Sequence, residues 1–458
     1  MAAAGLLSGS GGGRRLLGPL GVPAVAAICS AHLICAAAPA ASQEDAGSLL
    51  ARQEALFEAL EEDPTNLELM FDYAAVALRR EDYEAAIAVL ERMLFYNPDL
   101  PRVKLELAVA YYRLGAYDVA RFHFEDVLAD EPPEAVAERI APFLDEIGRR
   151  TAISRFDGSV TAGLLYSSNA TLGPLDRQLR FEGGPLFAAD EAAPDFGARL
   201  TAAIEHSYDL RTARDDAWIT TATYTGLRYR EETSGDLDAA FVTTGPRLAL
   251  DAEAFGLKAR PYLEGGVVRS GGDPLYALGG IGVEAIETLD ERLTVYGGGA
   301  LQWREFVDDS SAFDGLYAAL SSGFGYALPG GAVLRFGGVL RTDRAAEGYA
   351  SNVEGGLLAS ISTRLPTGET VLGAALSGDP GALVFAQASH RSFDEPDDVV
   401  DPDTTRRDLD LRMGARLTAP IHERVALVAD VSHFERRSSI ENYALRNFEV
   451  GLSVRVTY

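Results

Sequence analysis

Residues 447–458 read Asn-Phe-Glu-Val-Gly-Leu-Ser-Val-Arg-Val-Thr-Tyr, and from Phe448 onward every second side chain in this stretch is apolar. The positions between them carry Glu, Gly, Ser, Arg and Thr. Two earlier stretches, 196–205 and 408–418, alternate in the same way. Because successive side chains of a β-strand point to opposite faces of the sheet, this period of two predicts strands with one apolar and one polar face.

The alternation recurs from about residue 153 to Tyr458, where Gly, Thr, Ser and Tyr become frequent. Segments of roughly ten alternating residues separated by turns are typical of outer-membrane β-barrels, whose apolar face meets lipid. A soluble β-sandwich alternates as well, so the pattern alone leaves both folds open. Charge on one face of successive strands, the aromatic last residue and the export signal described below favour an antiparallel transmembrane barrel over residues 153–458.

The number of strands follows from parity. Fifteen segments are visible, but a barrel with both ends on the periplasmic side needs an even number of strands. The doubtful division is Ser377–Gly381, and treating 369–391 as one long, interrupted strand gives about fourteen strands. Long outer loops and short inner turns then alternate throughout. Aromatic residues near strand ends are expected at the two membrane interfaces: Phe181, Phe187, Tyr208, Tyr262 and Tyr349.

The first forty residues resemble a secretory leader. They contain no acidic residue, and Arg14 and Arg15 precede an apolar stretch that ends at Ala38-Pro39-Ala40. These features predict a signal peptide over residues 1–40. Both cysteines, Cys29 and Cys35, lie inside it, so the mature chain is expected to have no disulfide, thiolate metal site or cysteine nucleophile.

Residues 45–150 are rich in Ala, Leu, Glu and Arg and predict helices. Pro64, Pro98 and Pro132 recur at intervals of 34 residues, which is the tetratricopeptide period. Other positions repeat in register with them: Tyr83, Ala86 and Leu90 return as Tyr117, Ala120 and Phe124. The sequence therefore predicts two tetratricopeptide-type repeats after a capping helix at about 49–62. Met70 and Lys104 stand where such repeats usually have Trp.

The first helix of each repeat normally lines a concave groove that holds an extended partner segment. We call the residues expected on this face the repeat groove: Phe71, Leu78, Arg79, Leu105, Tyr112 and Arg113. An interpretation of equal weight is that these residues only cover an interface within the protein. The sequence leaves both open.

The sequence contains no clear pattern of catalytic or metal-binding residues. His123, His206, His390, His422 and His433 are scattered without metal-site spacing, so we expect no metal, no cofactor and no catalysis. Glycine runs at 279–282 and 297–299 lack the lysine and the following helix of a phosphate-binding loop. A metal pair at Asp408 and Asp410 is less favoured than a solvated lumen wall. The formal net charge of −27 argues against nucleic acid as a partner.

The order of parts, leader, repeats and barrel, resembles the surface lipoprotein assembly modifier family. Two local motifs are similar to those of that family. The first strand ends Gly-Leu-Leu-Tyr-Ser-Ser-Asn at 163–169, and the last hairpin reads Ser-Ser-Ile-Glu-Asn-Tyr-Ala-Leu-Arg-Asn at 438–447. Ile440 departs from the motif, because the family has Asn there. The resemblance covers nearly the whole mature chain.

The resemblance implies an outer-membrane translocon that helps deliver lipoproteins or secreted proteins to the cell surface, with the repeats in the periplasm. The implied partners are such a cargo protein, a periplasmic chaperone and outer-membrane lipid. The edge between the first strand (about 156–169) and the last (447–458) is then the natural place for an opening. Two alternatives stay open: a polysaccharide-export porin with periplasmic repeats, and a passive diffusion porin whose repeats dock an envelope partner.

Overall fold

The computed structural model describes residues 46–458 except 177, 183, 185, 188–190, 213, 215, 251–255, 366–369 and 372–373. The predicted signal peptide lies outside these residues. The described chain forms two compact units, one helical and one a β-barrel, which meet in the sequence between Arg155 and Phe156. Each unit is described by itself. Among the described residues, no helix has the length and apolar character needed to cross a membrane.

Six helices form the helical module, and each packs against the next. The predicted prolines lie where expected, because Pro64, Pro98 and Pro132 fall in the connections before the second, fourth and sixth helices. Proline has no backbone N–H and restricts the residue before it, so it separates helices cleanly. The bounds of the helices are α1 Ala46–Glu62, α2 Leu67–Arg79, α3 Tyr83–Tyr96, α4 Pro101–Leu114, α5 Tyr117–Ala129 and α6 Glu134–Arg150.

Two hydrophobic clusters hold the module together. The first surrounds Met70 and Leu90 between α1 and α4, and the second surrounds Phe124 and Ile140 between α4 and α6. Ala120 is completely buried in the second cluster, where its small side chain lets neighbouring helices approach closely. Gly115 ends α4 at φ 85°, a left-handed conformation that glycine adopts without a steric penalty. The repeat pattern in the sequence therefore corresponds to packing positions.

Fourteen antiparallel strands close into a single barrel, in which the first strand pairs with the last. We call the barrel end at which the first strand begins and the last strand ends the terminal end, and the opposite one the far end. The bounds are β1 Ser154–Ser167, β2 Asp195–Asp209, β3 Ala217–Tyr229, β4 Leu237–Ala249, β5 Lys258–Ser270, β6 Asp273–Thr288, β7 Leu293–Phe306, β8 Gly315–Ala327, β9 Val333–Ala345, β10 Asn352–Arg364, β11 Gly381–Phe393, β12 Arg407–His422, β13 Val425–Ser438 and β14 Leu445–Thr457.

The two faces of the strands are as the alternation predicts. On β14 the side chain of Leu452 is 60% exposed on the outside of the barrel, whereas Ser453 beside it is 4% exposed and faces inward. The same holds on β2, where Phe196 and Leu200 point outward. Large apolar side chains therefore cover the exterior of a closed sheet, which is the arrangement of a membrane-spanning barrel and not of a two-sheet sandwich.

Three details of the predicted barrel are wrong. The strand predicted over 369–391 begins at Gly381, because 370–371 and 374–375 form a separate short hairpin within a sixteen-residue connection at the terminal end. The count of fourteen is correct, but this connection breaks the alternation of short and long links, as does the two-residue far-end turn at 271–272. Tyr262 faces the lumen, since Leu263 is the outward residue there.

Two other aromatic residues predicted at the interfaces lie in far-end loops. Phe181 packs on Val400, Ile440 and Tyr443, and Tyr349 lies beside Phe313. Neither is part of an outward aromatic band. Tyr208, by contrast, is exposed on the outside near the end of β2, as predicted. The side chain of Phe187 lies outside the described part of the structure.

Candidate functional site

Paired charges line the far half of the lumen wall. Arg436 of β13 donates two hydrogen bonds of 2.7 Å to the carboxylate of Asp410 on β12 and lies 3.7 Å from that of Asp408. Arg406, just before β12, binds Asp408 at 2.7 Å. Arg436 and Asp408 are almost completely buried. The solvated wall predicted for Asp408 and Asp410 is therefore wrong, because arginines enclose both carboxylates.

A second set of ion pairs continues this wall toward β9. Glu354 of β10 accepts hydrogen bonds from Arg391 of β11 at 2.6 Å and from Arg341 of β9 at 2.9 Å. Buried charges remain stable only when each is paired and hydrogen-bonded. Side chains therefore cross-link β9 to β11 and, separately, β12 to β13, in addition to the backbone hydrogen bonds. Among the described residues, no group of three or more His, Cys, Asp or Glu side chains is arranged to hold a metal ion.

The two motifs noted in the sequence meet at the seam between β1 and β14 and form a clasp at the far end. The side-chain carbonyl of Asn447 accepts hydrogen bonds from the Ser167 hydroxyl at 2.9 Å, the Ser168 hydroxyl at 3.2 Å and the backbone N–H of Asn169 at 3.0 Å. The Asn169 amide in turn donates to the backbone carbonyl of Arg446 at 3.1 Å. Ser167, Asn169 and Asn447 are all buried. The clasp thus locks the far end of the seam.

An ion pair also spans the seam inside the lumen. Arg199 of β2 donates to the carboxylate of Asp430 on β13 at 2.8 Å, so the bond passes over both β1 and β14. Gly451 of β14 lies directly beneath it. A Cβ at Gly451 would come within 2.9 Å of both the guanidinium and the carboxylate, so glycine leaves the room that this bridge needs.

The seam is less complete at the terminal end. Nine residue pairs connect β1 to β14, from Ser159 with Thr457 to Ser167 with Glu449. Gly158 and Tyr458 add one mutual pair of backbone hydrogen bonds. Residues 154–157 of β1 extend past the last partner on β14. The side chain of Arg455 donates one hydrogen bond to the Thr161 hydroxyl at 3.3 Å near this end, so side-chain reinforcement of the seam is present here but greatest at the far end.

The first far-end loop, residues 168–194, binds the last two far-end loops. The side chain of Asn442 donates to the carbonyl of Arg180 at 2.7 Å and accepts from its N–H at 2.9 Å. The N–H of Leu175 donates to the carbonyl of Ala444 at 2.9 Å. The loops beside the clasp thus form one connected surface.

In the helical module, the six repeat-groove residues are three pairs spaced by one repeat. Phe71 and Leu78 are half-buried against the first hydrophobic cluster, and the Arg102 guanidinium lies 4.6 Å above the Phe71 ring. Leu105 and Tyr112 pack on the second cluster, where the Tyr112 ring lies 5.1 Å from that of Phe143 on α6. These four residues belong in part to the cores of the module.

Arg79 and Arg113 complete the repeat groove, and their side chains are exposed. They occupy the same position in successive repeats, on α2 and α4. The contact of Arg102 on α4 with the Phe71 ring on α2 shows that these two helices meet on this side of the module. Of the repeat groove, these two residues are the most accessible to a partner.

A polar cluster on α3, α4 and α5 is not evident from the sequence. Lys104 lies 2.8 Å from Asp126 and 3.1 Å from Asp130, and hydrogen bonds to these carboxylates raise the pKa of Lys104. Tyr111 stacks on His123 and donates to Glu91. Burial, followed by the hydrogen bond to Glu91, raises the pKa of Tyr111 to about 12. Lys104 thus fills the usual Trp position by bridging α4 to α5, which is a structural role.

Comparisons with known families concern the helical module. A family model described as a tetratricopeptide repeat matches residues 74–145, and a second model of the same description matches residues 44–99. Together they cover less than a quarter of the chain. No curated protein sequence matches it.

Several solved structures are similar to one unit or the other. A structure titled "MamA MSR-1 C2" is 25% identical with a TM-score of 0.21, and the match covers 22% of this chain and 59% of that one. The outer membrane channel DcaP of Acinetobacter baumannii is 9% identical with a TM-score of 0.37, covering 67% of this chain and 97% of that one. An anion-selective porin from Comamonas acidovorans is 11% identical with a TM-score of 0.33, covering 67% and 99%.

The architecture follows from the two repeat matches, the closed fourteen-stranded sheet and the apolar exterior of that sheet. The chain is a tetratricopeptide-repeat module followed by an outer-membrane-type β-barrel.

Proposed function

We propose that this protein is an outer-membrane translocon that assists the delivery of lipoproteins or secreted proteins to the cell surface. In this proposal the helical module lies in the periplasm and binds an extended segment of the cargo, and the far end of the barrel faces outward. The observation that carries it is the presence, in one chain, of a peptide-binding type of repeat and a closed barrel with a polar interior, separated only by residues 151–153.

The seam supports this function because it is reinforced unequally. A lipid-modified cargo must keep its acyl chains in the membrane while its polypeptide moves, so its route has to open sideways between two strands. The far part of the β1–β14 seam has the clasp and the Arg199–Asp430 bridge, whereas near the terminal end the described side chains add one hydrogen bond, from Arg455 to the Thr161 hydroxyl. Opening from the terminal end therefore breaks the fewest interactions.

The charge of the repeat groove indicates what the module would bind. Arg79 and Arg113 present two guanidinium groups on one face of a strongly acidic protein. Guanidinium groups bind carboxylates with paired, charge-assisted hydrogen bonds. We therefore propose that the bound cargo segment is extended and carries acidic side chains.

The test is a census of surface-exposed proteins in cells that carry Arg79→Glu together with Arg113→Glu. Reversal of both charges is expected to reduce surface display of the cargo on the order of a hundredfold, because two lost charge-assisted bonds together cost about 3 kcal/mol or more and each ~1.4 kcal/mol is a factor of about ten. The matched control is Arg52→Glu with Arg149→Glu, two exposed arginines outside the repeat groove.

Deletion of residues 45–150 gives the limiting case and should abolish display while the barrel remains in the membrane. Surface display that is unchanged in the deletion strain would refute the translocon proposal. If surface display is unchanged and the purified protein also conducts ions through an open pore, the alternative of an export or diffusion porin would be favoured.

A further inference from the structure

Three arginines form a patch on the outside of the barrel at the far end. Arg407 of β12, Arg437 of β13 and Arg446 of β14 alternate with the buried inward residues Asp408, Arg436 and Leu445, so their side chains point outward. Each lies at or near the far-end limit of its strand. We call these three residues the arginine patch.

Among the described residues, one carboxylate forms ion pairs with the arginine patch. Glu435, also outward, lies 2.9 Å from Arg437 and 3.7 Å from Arg446. No ion pair of the Arg407 guanidinium is found within the described residues. The patch therefore has a net positive charge, although the whole chain has a formal net charge of −27.

The patch lies at the edge of the apolar exterior. On β12 the next outward residue after Arg407 is Leu409, and on β14 the next after Arg446 is Phe448; both are exposed apolar side chains. Arginine is found at such an edge because its aliphatic part contacts hydrocarbon while its charged end reaches the headgroup layer. The guanidinium groups are thus at the depth of lipid headgroups.

A groove of about 800 Å³ runs over the outer wall beside the patch. Small outward residues, Gly338, Gly355 and Ala388, form its floor, and larger outward residues border it: Leu320, Leu340, Leu357, His390 and Leu409. A Cβ at Gly355 would have no neighbouring atom within 4 Å, so the groove is open there. We call it the wall groove.

The strand register joins the wall groove to the patch. One continuous row of cross-strand partners runs from β8 to β13: Leu320, Leu340, Gly355, His390, Leu409 and Arg437. Counted from the far end of each strand, Arg437 is one residue in, Gly355 three and Leu320 five. The row therefore descends from the headgroup edge at Arg437 into the apolar exterior at Leu320.

Its length suits an acyl chain. Adjacent strands are about 4.8 Å apart, so five strand spacings extend roughly 24 Å. This row borders the wall groove, and the distance is enough for a fatty acyl chain that lies beside the row, in the groove, from a headgroup held at the patch. The positive arginine patch suits the acidic headgroup of a lipid, and the apolar wall groove suits one of its acyl chains.

We propose that the outer wall over β8–β14 is a binding site for a phosphate-bearing lipid of the leaflet at the far end. The phosphate binds the arginine patch, where guanidinium groups donate paired hydrogen bonds to its oxygens. One acyl chain occupies the wall groove. The site requires only that the barrel spans a membrane and does not depend on the proposed cargo.

The experiment measures lipid retained by the full chain in detergent micelles, by native mass spectrometry. The probes are a bisphosphorylated, multiply acylated glucosamine lipid and the same lipid without phosphates. The wild-type protein is expected to retain the phosphorylated probe on the order of tenfold better, a difference of about 1.4 kcal/mol, because guanidinium groups donate charge-assisted hydrogen bonds to phosphate oxygens. The Arg407→Gln, Arg437→Gln, Arg446→Gln variant should lose this preference.

A matched control removes the same charge from the lumen: Arg335→Gln, Arg416→Gln and Arg455→Gln should retain the preference. Gly355→Leu fills the wall groove without touching a charge, and it should weaken retention of the phosphorylated lipid several-fold. Heat-modifiable migration on a gel shows that each variant is folded.

Three results would overturn the proposal. The first is equal retention of the two probes by the wild type. The second is a patch variant that behaves like the lumen control. The third is complete displacement of the lipid by millimolar inorganic phosphate with no effect of Gly355→Leu, which would indicate a site for free phosphate alone.

Discussion

Arg436→Leu is expected to lower the free energy of unfolding by about 3–5 kcal/mol, because removal of one partner from a buried ion pair leaves the other charge without compensation. Arg436 is 2% exposed, and its loss would leave the carboxylates of Asp410 and Asp408 with fewer partners inside the barrel wall. Urea unfolding of the protein in detergent micelles, followed by tryptophan fluorescence, measures the change.

The adjacent residue supplies the control. Arg437 is 64% exposed on the outside of the same strand, and its ion pair with Glu435 is a surface contact. Arg437→Leu is expected to cost less than about 1 kcal/mol. Equal destabilisation by the two variants would contradict the assignment of Arg436 to a buried network.

Asn447→Leu is expected to lower the free energy of unfolding by about 2–4 kcal/mol and to loosen the seam. The substitution removes the carbonyl that accepts from Ser167, Ser168 and Asn169, and each buried donor left without a partner costs about 1–3 kcal/mol. Hydrogen exchange should accelerate in β1 and β14 and stay unchanged in strands far from the seam.

Asn352→Ala is the matched control for the clasp. Its side chain makes one local hydrogen bond, to the carbonyl of Ala350 at 3.2 Å, away from the seam. This variant should leave exchange in β1 and β14 as in the wild type. Faster exchange spread evenly over all strands in Asn447→Leu would show that the clasp is not a local lock.

Local periodicity accounts for what the sequence could predict. The prolines spaced by 34 residues mark the helix connections, and the alternation in β14 assigns Leu452 to the outside and Ser453 to the inside. Both patterns arise within one element, so neighbouring residues contain the information. The number of strands followed from the same alternation together with the parity of a closed barrel.

Contacts between distant strands are what the sequence could not show. Asp408 and Asp410 have the spacing of an inward strand face, but whether water or arginine meets them depends on Arg436, which is placed by the register of the next strand. The clasp joins residues about 280 positions apart in the sequence. The polar residues of its two motifs indicate a special role, but they do not show that the two motifs contact each other. The aromatic type of Tyr262 predicts a residue at the membrane interface, but its strand parity, with Leu263 facing outward, directs Tyr262 into the lumen.

The two faces of the strands predict that lipid covers the apolar outer face of the barrel and that water fills its interior. Met413 and Arg416 lie on one strand, β12, with Met413 exposed on the outside and Arg416 exposed toward the lumen. The only cysteines, Cys29 and Cys35, belong to the predicted leader, so single cysteines at these two positions are unique in the mature chain.

The decisive measurement is labelling of Met413→Cys and Arg416→Cys in isolated membranes with a water-soluble maleimide. The cysteine at 416 is expected to react, and the one at 413 to remain protected until the membrane is dissolved and the barrel unfolded. Equal labelling of both in the intact membrane fraction, or recovery of the protein in the soluble fraction, would contradict a lipid-facing barrel.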